Sequence, residues 1–248
     1  MSAAVRPFAL PTRRDERFRY ADLAALEALW PIAPEWIAVG AGEERSQAIV
    51  LDAPNDVARA LEFEVGAGAK FDLRVLNVGG AYGRVALTVT LGEGAEFHFG
   101  AAQLGAGSQT LEIVSTVRHA APDAVSRQVV RSVLAGHATG TFLGKVEVAR
   151  GADGTDAEQS VRAMLLDRTA TANAKPELEI FADDVKCAHG CAVGELDQAA
   201  LFYMASRGLP PAEAKRLMLK AFIAEAFVGA KDEEALTAAA LARLETLV

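Results

Sequence analysis

A glycine-rich unit that occurs twice constrains the fold more than any other feature of the chain. Val65-Gly66-Ala67-Gly68-Ala69-Lys70-Phe71 returns 26 positions later as Leu91-Gly92-Glu93-Gly94-Ala95-Glu96-Phe97. The common pattern is an aliphatic residue followed by Gly-x-Gly-Ala-x-Phe, and Leu134-Ala135-Gly136-His137-Ala138-Thr139-Gly140-Thr141-Phe142 is a looser echo. Glycines at matching points imply identical corners that need positive φ or close backbone approach. Period-two alternation precedes both corners, in Leu61-Glu62-Phe63-Glu64-Val65 and in Val85 to Leu91, and puts the apolar side chains on one face of a strand. It recurs less regularly at Leu111–Ile113, Val146–Val148 and Leu178–Ile180. Short strands joined by tight corners at this period describe a β-solenoid. A β-sandwich with two similar hairpins fits the same pattern.

The strand-rich stretch covers residues 39–194. Residues 1–38 form a short helical segment in which Asp22 or a neighbour caps a helix carrying Leu23, Leu26, Leu29 and Trp30, before Pro31 and Pro34 break it. Residues 195–248 read as a helical module of three helices. The first runs over Glu195–Arg207 and stops at Gly208. The second opens at Pro211 and runs to about Val228 before Gly229. The last spans about Asp232 to Leu247, with Leu236, Ala239, Ala240 and Leu244 on one side.

Composition narrows the function classes. With 51% hydrophobic residues a sizeable core is expected, but no apolar run reaches the roughly 18 residues that a membrane span needs. Met1–Pro7 leads into Pro11 and the charged run Arg13–Arg17 rather than an apolar stretch, so no secretory leader is expected. A net charge of −8 argues against a broad nucleic-acid surface. The two cysteines, Cys187 and Cys191, are too few for a disulfide framework. A cytoplasmic protein with a localised thiol site is expected.

That site is the segment Val185-Lys186-Cys187-Ala188-His189-Gly190-Cys191-Ala192-Val193. In an extended strand Cys187, His189 and Cys191 share a face, and thiolate and imidazole suit soft or borderline metals and iron–sulfur centres. A fourth ligand is missing, and the spacing is that of neither a zinc knuckle nor a haem-attachment motif. Val185 and Val193 share the parity, so on spacing alone a row of core side chains is the more economical reading. Gly190 could also introduce a bulge. His98, between Phe97 and Phe99, is expected on the outer strand face, His119 at a turn before Ala120-Ala121-Pro122, and His137 in a glycine-rich corner. Asp183-Asp184 reads as a solvated turn rather than a metal or acid–base pair. There is no Gly-x-Ser-x-Gly elbow and no P-loop, so the chain should not itself hydrolyse ATP.

The stretch Lys175 to Gly190 (KPELEIFADDVKCAHG) closely resembles the signature of the SufB/SufD family, and the resemblance continues through Val193–Asp197 and Ala200–Gly208. Ser126-Arg127-Gln128, Gly144-Lys145-Val146 and Thr155–Ser160 are similar to family segments as well. Leu10–Glu16 followed by Arg19–Leu23 resembles the SufD branch. The resemblance implies a mainly β fold: a right-handed parallel β-helix flanked by N-terminal and C-terminal helices. It implies a scaffold subunit of the SUF iron–sulfur cluster assembly complex, not an enzyme, paired with a SufB-like subunit through the β-helix and with a SufC-like ABC ATPase through the C-terminal helices. A homodimer is the alternative assembly when the chain is alone. The cluster would be held transiently at the subunit interface, with His189 and Cys187 at the Lys-Cys-x-His-Gly motif, and reduced flavin is associated with the complex.

Two departures stand out. Many SufD proteins are longer, so this chain reads as a shortened form with fewer turns, and Cys191 stands where the family usually has a small residue. Leu201, Phe202, Tyr203, Leu217 and Phe222 are the expected partner-binding anchors. Other classes make different demands. A polysaccharide lyase on a β-helix needs a cleft of acids and bases that the sequence lacks, and solenoid acyltransferases carry a much shorter repeat. A stand-alone metal protein would use Cys187, His189 and Cys191 alone.

Overall fold

The computed structural model describes residues 9–247; Met1–Pro7, read above as lacking a leader, and Val248 lie outside them. Twelve strands follow one another: β1 (Pro34–Val39), β2 (Glu44–Leu51), β3 (Val57–Val65), β4 (Lys70–Asn77), β5 (Tyr82–Leu91), β6 (Glu96–Gly105), β7 (Thr110–His119), β8 (Val125–Leu134), β9 (Thr139–Val148), β10 (Asp156–Leu165), β11 (Thr171–Ile180) and β12 (Lys186–Gly194). Odd-numbered strands form one six-stranded sheet, β1-β3-β5-β7-β9-β11. Even-numbered strands form the other, β12-β10-β8-β6-β4-β2. Every pairing is parallel. Hairpins produce antiparallel pairs, so the sandwich is excluded and the chain is a β-solenoid of six turns, one strand of each sheet per turn.

Both proposed reasons for the repeated glycines operate, one at each glycine of the unit. Gly68 and Gly94 have φ of +64° and +61°, the left-handed region that a Cβ disfavours. A Cβ on Gly66 would lie 2.7 Å from the Ala41 nitrogen of the preceding corner. The phenylalanines that close the unit, Phe71 and Phe97, are register partners, and their rings stack 5.7 Å apart. The looser echo at Leu134–Phe142 is a different corner. It follows an even strand, and the His137 amide donates to the Gly107 carbonyl at 2.7 Å, so the partner of Gly136 in the stack is Gly107 rather than a glycine of the repeated unit.

The interior changes character along the solenoid. The early turns are filled by Leu61, Phe63, Phe71, Leu73, Phe97 and Phe99, each fully buried side chain contributing roughly 1.5–3 kcal/mol. The later turns bring polar side chains inside: Ser126, Gln128 and Gln159 are at most 2% exposed. His119 belongs there too. It is the last residue of β7, directly before the turn at Ala120–Pro122, yet it is wholly buried, with Nε2 2.9 Å from the Ser126 hydroxyl. His98 is exposed as expected, and His137, in its glycine-rich corner, is exposed too.

The helices cover the outer faces. Asp22 caps α1 (Leu23–Leu29) by accepting from the Ala24 and Ala25 amides at 3.1 Å. The segment is anchored on the odd-strand sheet, where the Asp22 amide donates to Glu112 at 3.0 Å and the same carboxylate forms a buried ion pair with Arg84. At the other end β12 continues to Gly194, so α2 (Gln198–Ser206) starts later than the spacing predicts, at an Asp197 cap. Gly208, with φ of +87°, follows it. Pro211 opens α3 (Pro211–Ala224), which ends four residues short of the expected Val228, and α4 spans Glu233–Leu244. Leu219, Ile223, Phe227, Leu236 and Leu244 pack against Leu76, Ala102, Leu104 and Val133 on the outer face of the even-strand sheet. Gly100 permits this approach, since a Cβ there would lie 1.8 Å from the Ala226 carbonyl oxygen. Among the described residues no helix is long and apolar enough to cross a membrane.

Candidate functional site

β12 is the last strand of its sheet, paired with β10 on one side and, among the described residues, unpaired on the other. Its register partners are Ala157 for Cys187, Gln159 for His189 and Val161 for Cys191. Those three residues point into the solenoid and are buried. Paired residues of parallel strands share a face, so Cys187, His189 and Cys191 line the inner face of the final turn. The ladder runs unbroken through Ser160 and Gly190, and Gly190 introduces no bulge.

The row is part core and part surface. Val185 and Cys187 are half-buried against Val146, Val148, Ala152 and Ala157. His189 and Cys191 are exposed, and Val193 is 48% exposed. The change follows from position: no further rung covers the inner face of β12, and the inward row of the opposing strand β11 has only Ala172, Ala174 and Pro176 beyond Leu178, the residue that packs near Cys187. The Cys191 sulfur lies 3.9 Å from the Ala174 carbonyl oxygen. Both cysteines are free thiols. At four residues apart on a strand their Cα atoms are about 13 Å apart, too far for a disulfide.

Burial pushes the Cys187 thiol above its ordinary value. The Asp156 carboxylate adds to this, against a backbone hydrogen bond from Ala157. Burial also raises the Cys191 thiol. Neither sulfur is therefore held as thiolate by this chain's own charges. Among the described residues no group of three or more His, Cys, Asp or Glu is arranged to hold a metal ion. Cys187, His189 and Cys191 thus share a strand face without forming a closed ligand set. Asp183 and Asp184 are exposed in the turn before β12, where the Asp184 carbonyl accepts from the Gly154 amide at 2.7 Å.

A polar row behind this strand was not visible from spacing. Gln128, Gln159 and His189 are successive register partners across β8, β10 and β12, and the row runs on into apolar Phe99 of β6. Gln128 accepts from the Ser115 hydroxyl at 3.1 Å. Glutamine on an alternating strand reads as outward-facing polar, and only the register turns Gln128 and Gln159 inward.

The helical surface carries a second feature. Phe202, Tyr203 and Leu217 are 76%, 59% and 54% exposed. Leu201 and Phe222 are instead partly buried against the helix–sheet core. A groove of about 470 Å³ between α2 and α3 is lined by Leu201, Phe202, Ala205, Pro211, Ala212 and Lys215, with Gln198 at its edge.

Residues 57–222, from β3 into α3, match the family described as SUF system FeS cluster assembly, SufBD core domain. The chain is 36% identical over 167 residues to the chloroplastic protein ABCI7 of Arabidopsis thaliana, covering 64% of this chain and 34% of that protein. It is 37% identical over 108 residues to the iron–sulfur cluster assembly protein SufD of Escherichia coli, covering 44% of this chain and 26% of that one. Against SufD of Bacillus subtilis the identity is 33% over 121 residues, with coverages of 49% and 28%. The matched stretch therefore spans about a quarter to a third of each of these relatives. The chain belongs to the SufBD family of SUF-system iron–sulfur cluster assembly proteins.

Proposed function

We propose that the chain is a non-enzymatic scaffold subunit in which the open end of the solenoid, at β12, pairs with a SufB-like subunit and holds a nascent iron–sulfur cluster as transient cargo. The observation that carries this reading is the unpaired edge of β12, which presents Cys187, His189 and Cys191 on its inner face. Sheet edges are normally blunted by proline or charge. β1 and β11, the edges of the other sheet, contain Pro34 and Pro176, whereas β12 has no proline and only Lys186 as a charge. Such an edge is a template for strand addition. A partner would supply the missing ligands and the positive charge or metal that lowers the raised thiols.

The exposed Phe202, Tyr203 and Leu217 support docking of a SufC-like ATPase on α2 and α3, with Leu201 and Phe222 supporting that surface from beneath. In a complex reconstituted with SufB-like and SufC-like subunits, His189→Ala lowers cluster yield while the chain stays folded. Unchanged yield from the folded variant would sink the role of His189. Deleting the whole helical module is a poor test of ATPase docking, because it strips the cover from Leu76, Ala102, Leu104 and Val133. Phe202→Asp, at an exposed position, is the cleaner probe of ATPase recovery.

A further inference from the structure

We propose that Gln159 is a positioning residue for His189: its buried amide accepts the inner ring N–H of the imidazole and leaves the outer ring nitrogen unprotonated and turned towards the open end. The inference rests on the reading of His189 as a working residue.

Gln159 is wholly buried, yet neither its amide oxygen nor its nitrogen has a hydrogen-bond partner. Buried polar groups are nearly always paired, and an exception calls for an explanation. Its flanking inward neighbours on β10, Ala157 and Val161, are apolar. Across the interior, Gly144 has no side chain: a Cβ there would lie 2.4 Å from the Phe142 ring and 3.0 Å from the Gln159 nitrogen. The opposite wall is cut back to admit the amide and offers it nothing to bond.

Polar side chains remain along the row itself. Gln128 is the register partner on one side and His189 on the other, at about 4.8 Å per rung. That spacing lets stacked amides bond from rung to rung. The Gln128 nitrogen is also unpartnered, while its oxygen accepts from Ser115. An amide oxygen has two acceptor sites, so the Gln128 oxygen can take the Gln159 N–H in addition to the Ser115 hydroxyl. The Gln159 oxygen is then left for the only exposed member of these three, His189. An imidazole that donates one N–H to a fixed acceptor has its tautomer and ring plane set, and its other nitrogen is free to bind a metal or an acid.

The test uses the 248-residue chain, ¹⁵N-labelled, with the ring nitrogens of His189 assigned by their loss in His189→Ala. The wild type should show one dominant tautomer. Gln159→Leu and Gln159→Met, which keep the bulk and remove the acceptor, should give a tautomer mixture, while Gln159→Glu restores a single one. In the reconstituted complex Gln159→Leu should lower cluster yield at least threefold. An unchanged His189 tautomer in whichever of the two apolar variants folds overturns the proposal, whatever the yield. If the tautomer shifts with Gln159 but His189→Ala leaves the yield intact, the positioning contact stands and the working-site reading falls.

Discussion

Arg131 of β8 holds Glu225, the residue that directly follows α3, through Nε at 2.8 Å and a second guanidinium nitrogen at 2.7 Å. The same side chain donates to the Ser160 carbonyl at 2.8 Å and to the Ser160 hydroxyl at 3.0 Å, and its guanidinium lies over the Phe222 ring at 5.8 Å. Ser160 is the register partner of Gly190. One buried cation therefore joins the helical module to the strand beside the Cys187–His189 edge. Arg131→Leu should destabilise the chain by about 2–3 kcal/mol, because it leaves the part-buried Ser160 carbonyl and hydroxyl without their donor and removes the cation that ties the helical module to the sheet. Glu225→Gln, at a half-exposed position, should cost less than about 1 kcal/mol. Urea denaturation of the two variants checks the order.

The glycines divide by what opposes a side chain. Gly68 is in the left-handed region with open space around it, so Gly68→Ala should cost only the conformational term of about 1–2 kcal/mol. Gly100 faces the Ala226 carbonyl, which also accepts from Arg74 at 2.9 Å. Gly100→Ala must push α3 and its C-terminal turn off the sheet, at about 3 kcal/mol. Equal melting temperatures for the two variants would contradict this account of how the module docks.

Burial holds the His119 imidazole down to about 4 from its ordinary 6.5. The folded chain thus stays neutral at this site where the unfolded chain takes a proton. Between pH 6.5 and 4 the unfolded state binds more protons, so stability falls as pH falls. A difference of this size corresponds to about 3 kcal/mol by the acid end of the window. His119→Gln should flatten that part of the stability–pH curve, with little change in slope above pH 7.

The thiols should report partner binding. With both raised by burial, iodoacetamide should modify the folded chain more slowly at pH 7 than the urea-unfolded chain, and the exposed Cys191 before the half-buried Cys187. Mass spectrometry of the alkylated peptides gives the order directly. Pairing at the β12 edge should then suppress labelling of Cys191.

Local signals carried much of the architecture. Positive φ and close backbone approach have few residue solutions, so the Gly-x-Gly-Ala-x-Phe unit was readable as a corner, and Phe71 stacks on Phe97 as the repeat implies. Asp22, Gly208 and Pro211 mark helix ends because end groups must be satisfied within a few residues of the chain, whereas the Asp197 cap of α2 emerged only from the structure. The placement of Cys187, His189 and Cys191 on one strand face follows from the period of two. What sequence could not decide was which polar residues the solenoid takes inside. Gln128, Gln159 and His119 are buried, Arg84 meets Glu112 across 28 positions, and Arg131 meets Glu225 across 94. Each depends on register between strands that are neighbours only after the chain has wound a full turn, or on a helix folding back over a sheet. Strand alternation specifies that side chains take opposite faces, and tertiary packing alone decides which face is covered. At β12 the same parity that buries Gln159 leaves His189 open, because the next rung is absent.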